Sequence, residues 1–399
     1  MKMSKKLLAV ALAFAMVTAG TLTGCAKKTE QTSSSEAPAA STAEASKAES
    51  TASGAALKIA IVTSPSGVDD GSFNQDNYTG VLKFIEKNPN STVKAIQETT
   101  GDTAAAVQAV ADIVADYDVI VCPGFQFAGI SALAVENPDK KFVLIDSDPT
   151  PQGEQKVFEN IYAMTFAEQE GGFFAGIAAA LESKTGKVAV VNGIAYPSNV
   201  NYQYGFESGV KYANAKFDKK VECIEIASYA GTDVTGANVG GNYVGNFADE
   251  ATGKVVGSAL IKEGCDILFV AAGGSGNGVF TAAKEAGNVK VIGCDVDQFA
   301  DGGTPNVVLT SALKVMSTNV DRALTAVADG SFKGENVLLK ADTDSTGYVK
   351  EEGHHQMSAD TLTKLDEVYK LVQDGTIVPA ANFNGISSDN FPGLPGYTK

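Results

Sequence analysis

Residues 57–88, "LKIAIVTSPSGVDDGSFNQDNYTGVLKFIEKN", decide how the chain folds. The apolar run "LKIAIV" ends at Val62, a Gly- and Asp-rich turn carrying Phe73 and Asn74 follows, and the helical stretch "NYTGVLKFIEKN" begins at Asn77. A strand that is apolar on both sides, then a turn, then a helix, is the opening unit of a parallel sheet covered on both faces. The turn needs its Asp, Gly and Ser; it does not need Phe73.

The same unit recurs downstream. "VKAIQET" leads to "DTAAAVQAVADIVAD", "YDVIVCPG" to "FQFAGISALAVENP", and "KKFVLIDSD" is followed by "NIYAMTF" and the Gly/Ala-rich "EQEGGFFAGIAAALES". "GKVAVVNG", "KVECIEIASYA", "CDILFVAAGG", "VKVIGCDVD" and "NVVLTSAL" read as further strands, each with a helical partner or a long turn. About nine units exceed what one compact sheet holds. The expected architecture is two doubly wound parallel-sheet lobes with a cleft between them. Crossings are expected near Met164–Glu168, Asp295–Gln298 and Leu339–Gly347. That makes 57–165 plus 297–340 the first lobe and 166–296 plus 341–399 the second.

The first 56 residues are of another kind. "MKMSKK" followed by "LLAVALAFAMV" is a signal peptide, expected over 1–24. "LTGC" then places Cys25 at the small-residue cleavage site, in the pattern of a lipid-modified cysteine that anchors the chain without spanning the bilayer. Residues 26–56 are nearly all Ala, Ser, Thr, Glu and Lys with no aromatic or large aliphatic group, so 25–56 is expected to be a disordered tether.

The chain carries a formal charge of −16. Residues 1–56 hold six Lys and four Glu, so the remainder carries −18. An acidic body argues against nucleic acid as a partner and leaves the lipid as the only membrane contact. Cys122, Cys223, Cys265 and Cys294 lie in or beside apolar runs without CxxC spacing and read as buried thiols, a disulfide between two of them remaining open. His354 and His355, the only histidines, share one polar loop. No metal and no cofactor is expected.

Ligands of parallel sheets bind beyond the C-terminal strand ends. Collecting those ends gives Ser64, Asp69, Asp70, Phe73 and Asn74; Phe125 and Phe127; Asp146 and Asp148; Tyr196 and Asn199; a Gly-rich loop running to Phe247; Gly273 in "GGSGNG"; Asp295, Asp297 and Gln298; and Lys314. Aromatic faces and Asp/Asn side chains recur, which suits a flat ligand with hydroxyls. Each residue has a plainer alternative: a helix N-cap for the acids, a hydrophobic staple for Phe73, a tight turn for "GGSGNG". A nucleophile–base pair is not legible, so no enzyme is expected.

Taken in order from Lys58 to about Ala328, "DDGSFNQDNYTG", "PGFQFAG", "NPDKKFVLID", "EQEGGFFAGIAAALESKTGKVAVVNG", "AAGGSGNGVFTAAKE", "VIGCDVDQ" and "TSALK" resemble the basic membrane protein family of surface lipoproteins, which includes purine nucleoside receptors of ABC importers. The resemblance implies a type I periplasmic-binding-protein fold, two lobes joined by three crossings, and a nucleoside held between them by hinge closure. It implies that Phe73 and Phe247 stack on the base, that Asn74 and Asp146 bond its edge, and that Asp295, Lys314 and the backbone at Gly273 hold the ribose. Asp70, Ser64 and Phe125 complete the expected site. Where many relatives carry Asp at the end of the first strand, this chain has Ser64. The loop before Phe247 is longer than usual, which leaves Tyr243 as its rival. The implied partners are a separate permease and ATPase, and the implied state is a monomer on the extracytoplasmic face of the cell membrane. A sugar receptor of the same fold, a cleft hydrolase using its acid pairs, and an adhesin or sensor are the rival readings.

Overall fold

A computed structural model describes residues 54–149 and 156–399. The signal peptide, Cys25 and most of the tether lie outside the described residues. The tether's end does not: Ala55 N donates to Ala328 O at 2.8 Å, so the expectation of disorder through residue 56 runs a few residues too far.

The first lobe is built on a six-stranded sheet. Its chain order is β1 (Lys58–Thr63), α1 (Phe73–Lys87), β2 (Thr92–Gln97), α2 (Thr103–Ala111), β3 (Val119–Pro123), α3 (Ser131–Glu136), β4 (Lys141–Ile145) and β5 (Ile161–Phe166). The second lobe begins with α4 (Glu168–Glu182), β6 (Lys187–Asn192), α5 (Pro197–Phe217) and β7 (Glu222–Cys223). A small hairpin, β8 (Gly231–Thr232) and β9 (Asn238–Gly240), precedes α6 (Glu250–Lys262), β10 (Ile267–Ala271), α7 (Gly276–Ala286), β11 (Lys290–Asp295) and β12 (Val308–Lys314). Then α8 (Met316–Asp329) and β13 (Glu335–Leu339) return to the first lobe, and β14 (Thr346–Tyr348) and α9 (Ala359–Gln373) to the second.

The sheets have matching orders, β2-β1-β3-β4-β5-β13 and β7-β6-β10-β11-β12-β14. All pairings within them are parallel except β12 with β14. This doubly wound order reverses between β1 and β3 and between β6 and β10, the points where such sheets open a crevice. Central strands β1, β3, β4, β6, β10 and β11 are buried nearly throughout, as their unbroken apolar runs require, whereas the edge strand β2 is largely exposed or half-buried. "KVECIEIASYA" yields only the two-residue β7.

The chain crosses between lobes at Ala167, at Val315 and at Lys340. The second crossing was expected near Asp295–Gln298, and the structure corrects it. Residues 308–314 pair in parallel with β11 from Val291 to Asp295, so β12 stays in the second sheet and the chain leaves only after Lys314. The lobes are therefore 57–166 with 316–339, and 168–314 with 341–399. The crossings are tied together: Ala167 N donates to Leu339 O, Val315 N donates to Ser345 O, and Glu170 accepts from Ala341 N at 2.7 Å and Thr346 Oγ1 at 2.6 Å.

Helix α4 is buried all round except at its last residue. It approaches α5 so closely that a Cβ on Gly172 would strike the Tyr202 carbonyl and one on Gly176 the Phe206 carbonyl. The C-terminal segment, unread in sequence, is a strap on the second lobe: Phe391 is fully buried and packs edge-on against Phe173 at 5.8 Å. The four cysteines are free thiols, with Cys223 half-buried and the others buried.

Candidate functional site

The C-terminal ends of both sheets face one cavity, which opens to solvent. All ten cleft residues singled out in the sequence line it: Ser64, Asp70, Phe73, Asn74, Phe125 and Asp146 from the first lobe, and Phe247, Gly273, Asp295 and Lys314 from the second. Phe127 instead sits in the core of the first lobe. Asp297, outside the cavity lining, pairs with His354.

The loop after β1 is shaped by Asp70. Its Oδ1 accepts from Ser72 N and Gln75 N and its Oδ2 from Asn74 N, each at 3.0 Å. Burial pushes its carboxyl up, and these amides oppose the shift. Asp70 thus reaches the cavity but spends both oxygens on the free amides at the start of α1, the N-capping alternative. What it presents is Phe73 and Asn74. The Asn74 amide donates from Nδ2 to Ser64 Oγ at 2.9 Å, and its buried Oδ1 has no partner. Ser64 therefore orients Asn74.

Lys314, 2% exposed, joins the groups assigned separately to base and ribose. Its Nζ is 2.5 Å from Asp146 Oδ2 and 3.7 Å from both Asp295 Oδ1 and Glu168 Oε1. It also lies 4.8 Å from the Phe73 ring centre, a cation–π distance. Burial alone would push the ammonium down; Asp146, then Asp295 and Glu168, hold it well above its usual range. Burial pushes the Asp146 carboxyl up, and Lys314 opposes that. Asp295 accepts from Tyr202 OH at 3.0 Å and Ser72 Oγ at 3.1 Å. Both aspartates are left-handed, with φ of 60° and 70°. Such backbone is uncommon outside glycine and clusters at functional sites.

Aromatic rings make another wall. Phe125 and Tyr196 lie 5.2 Å apart, and Tyr196 and Phe247 6.0 Å apart. Phe247 rides over Gly193, where a Cβ would strike its ring. Its carbonyl accepts from Ser275 N at 2.9 Å and, across the lobes, from Ser66 Oγ at 2.9 Å. Its rival Tyr243 is buried elsewhere, its hydroxyl donating to Gln203 at 2.7 Å; only Phe247 of the two lines the cavity.

Ser66, Gln126, Ser198, Tyr202, Ala271 and Cys294 also line the cavity and were missed. Ser66 and Gln126 adjoin residues that were found; Tyr202 lies inside a long helix and carries no strand-end signal. Glu168 was missed as well. Its one legible mark is an acid opening a Gly/Ala-rich helix beside an expected crossing.

Polar groups from two lobes converging between aromatic walls, on paired doubly wound sheets, define a solute-binding protein of the type I periplasmic fold. The chain aligns with a solute-binding protein of an ABC transporter from Aeropyrum pernix K1 at TM-score 0.68 and 22% identity, over 82% of this chain and 94% of that one. It aligns with one from Conexibacter woesei at TM-score 0.59 and 20% identity, over 80% and 97%. The model of the family described as "ABC transporter substrate-binding protein PnrA-like" matches residues 57–230 and 227–382, and the chain belongs to that family. Among curated relatives, the ABC transporter nucleoside-binding protein BmpA of Lactococcus lactis subsp. cremoris is 31% identical over 59% of this chain and 63% of its own length. The CD4+ T-cell-stimulating antigen of Listeria monocytogenes is 27% identical over 80% and 87%.

Proposed function

We propose that this chain is the receptor of an ABC importer for nucleosides, with purine nucleosides as the preferred class. The observation that carries the reading is the composition of the cleft. Phe73, Phe125, Tyr196 and Phe247 offer ring faces, while Asn74, Asp146, Asp295 and Lys314 offer bonding groups from both lobes. In this reading Phe73 and Phe247 stack on the base, Asn74 bonds its edge, and Asp295, Lys314 and Gly273 hold the sugar. The lobes close about the tied crossings, as hinge-bending receptors do. The nucleoside-binding name of the Lactococcus relative supports the ligand class. The chain acts as a monomer outside the cytoplasm, held to the membrane by lipid on Cys25, and hands its ligand to permease and ATPase subunits on other chains. It performs no chemistry on the ligand.

Calorimetric titration of residues 26–399, unfolded and refolded to strip bound ligand, tests this with adenosine, guanosine, inosine, uridine, ribose and adenine. Tight binding of nucleosides with little for ribose or adenine alone is expected. Tight binding of a free sugar would overturn the stacking roles, and turnover of any nucleoside would overturn the receptor.

A further inference from the structure

Glu168 is 2% exposed, stands where the chain first crosses between lobes, and has no part in the ligand-binding roles above. Asp146 faces it from the end of β4, Lys314 from β12, and Asn201 and Tyr202 from α5; Asp295 lies beyond the ammonium. Glu170, on its own helix, is turned to the third crossing.

Three carboxyl groups thus share one ammonium, all four buried. Three anions on one cation are costly there, and the least costly relief is a proton on one of them. The hydrogen bonds say which. Asp146 Oδ2 is held by Lys314. Both oxygens of Asp295 accept from hydroxyls. Glu168 accepts one bond, on Oε2 from Asn201 at 3.1 Å, and its Oε1 reaches Lys314 only at 3.7 Å. Asp146 Oδ1 is a buried acceptor lacking a donor, and Glu168 lies beside that carboxyl at the same ammonium. A proton on Glu168 supplies the missing donor.

We infer that Glu168 holds a proton in the closed cleft, donated toward Asp146, and that the protein takes up this proton as it binds its ligand. The inference rests on the nucleoside and hinge-closure reading above. Asp146 belongs to the first lobe; Lys314 and Glu168 belong to the second. Parting the lobes separates them and exposes them to water, and Glu168 returns to its ordinary range. Burial first, then Asp146, pushes it up to about 8 from the usual 4.5. Between those limits the bound form carries a proton that the open form lacks, so affinity falls as pH rises. Glu168 is then a positioning residue: it keeps Asp146 aimed and need not touch the ligand.

Calorimetry with inosine and adenosine at pH 7, in buffers of differing ionisation enthalpy, reads the proton directly. Uptake approaching one proton is expected in the wild type and almost none in Glu168→Gln. Affinity should fall about tenfold or more from pH 6 to pH 8 in the wild type and stay nearly flat in the variant. Buffer-independent heats, or equal uptake in both proteins, would overturn the assignment. Should no nucleoside bind, the receptor reading fails, but melting curves from pH 5 to pH 9 still read the proton. Stability that declines with rising pH in the wild type and not in the variant supports Glu168 as its holder; parallel profiles overturn it. If the variant does not fold, carboxyl carbon shifts in glutamate-labelled wild type give the same titration, and a Glu168 signal in the ordinary range sinks the idea.

Discussion

Asp146 and Asp295 occupy the same place in the two lobes. Each stands at the C-terminal end of the fourth strand of its sheet, counting from β2 and from β7, Asp146 just past β4 and Asp295 as the last residue of β11, and each is left-handed within ten degrees of the other. The crossings that follow the next strands also match, with φ/ψ of −84°/67° at Ala167 and −83°/74° at Val315. Yet the side chains are used differently. Asp146 meets an ammonium and keeps one oxygen without a donor, while Asp295 is held by two hydroxyls. The two lobes share a backbone plan, and the cleft becomes specific because side chains at equivalent positions have diverged. Lys314, one residue before a crossing, is where the halves are joined.

The largest expected effect follows from removing that joint. Lys314→Met leaves Asp146, Asp295 and Glu168 facing one another without a cation. Breaking a buried charge cluster from one side costs about 3–5 kcal/mol of stability, readable by urea unfolding. The deficit should shrink as pH falls, because protonated carboxyls no longer repel. A variant as stable as the wild type at pH 8 would mean that the cluster is not dry.

The aspartate comparison is sharpened by paired substitutions. Asn tolerates the left-handed backbone, so Asp146→Asn and Asp295→Asn change charge and leave the turn intact. Asp146→Asn should weaken nucleoside binding by about 2–5 kcal/mol, since it strips an ion-paired partner from Lys314. Asp295→Asn should cost about 1 kcal/mol, the worth of an ordinary hydrogen bond. Equal losses would show that the two positions are interchangeable and that divergence between the lobes is cosmetic.

That the cleft was largely legible in the sequence has a physical cause. Parallel strands end on one edge, so residues following each apolar run are collected into one place by topology alone, and Asp146, Asp295 and Gly273 could be found without knowing a contact. Phe73, Asn74 and Asn199, at helix starts just past a strand, were found in the same way; Tyr202 and Glu168 were not. Tyr202 reaches the cavity from inside α5, and Glu168 meets Lys314 from the start of α4; their positions depend on how two glycine-faced helices pack, which no short window of sequence contains. The second crossing was misplaced for a related reason. Residues 308–314 read as a strand in either lobe, and only pairing with β11 decides between them. Asp70 shows that one carboxylate can fill both readings of a strand-end acid: it lines the cavity and holds the amides at the start of α1.

The smallest effect separates the two rings assigned to the base. Phe73 is half-buried and packs against the core of the first lobe, at the first position of α1. Phe247 belongs to no core; it is seated over Gly193 and beside Gly273, with its backbone held by Ser275 and Ser66. Stacking on a base is worth about 1–3 kcal/mol per ring, so Phe73→Ala and Phe247→Ala should weaken nucleoside binding alike in calorimetry. Stability should tell them apart. Phe73→Ala removes contacts with Lys314 and the core and should lower the melting temperature, whereas Phe247→Ala should leave it nearly unchanged. If Phe247→Ala binds like the wild type while Phe73→Ala does not, the ligand rests on one ring only. Tyr196, in contact with Phe125 of the first lobe, would then be the ring that the second lobe closes over it.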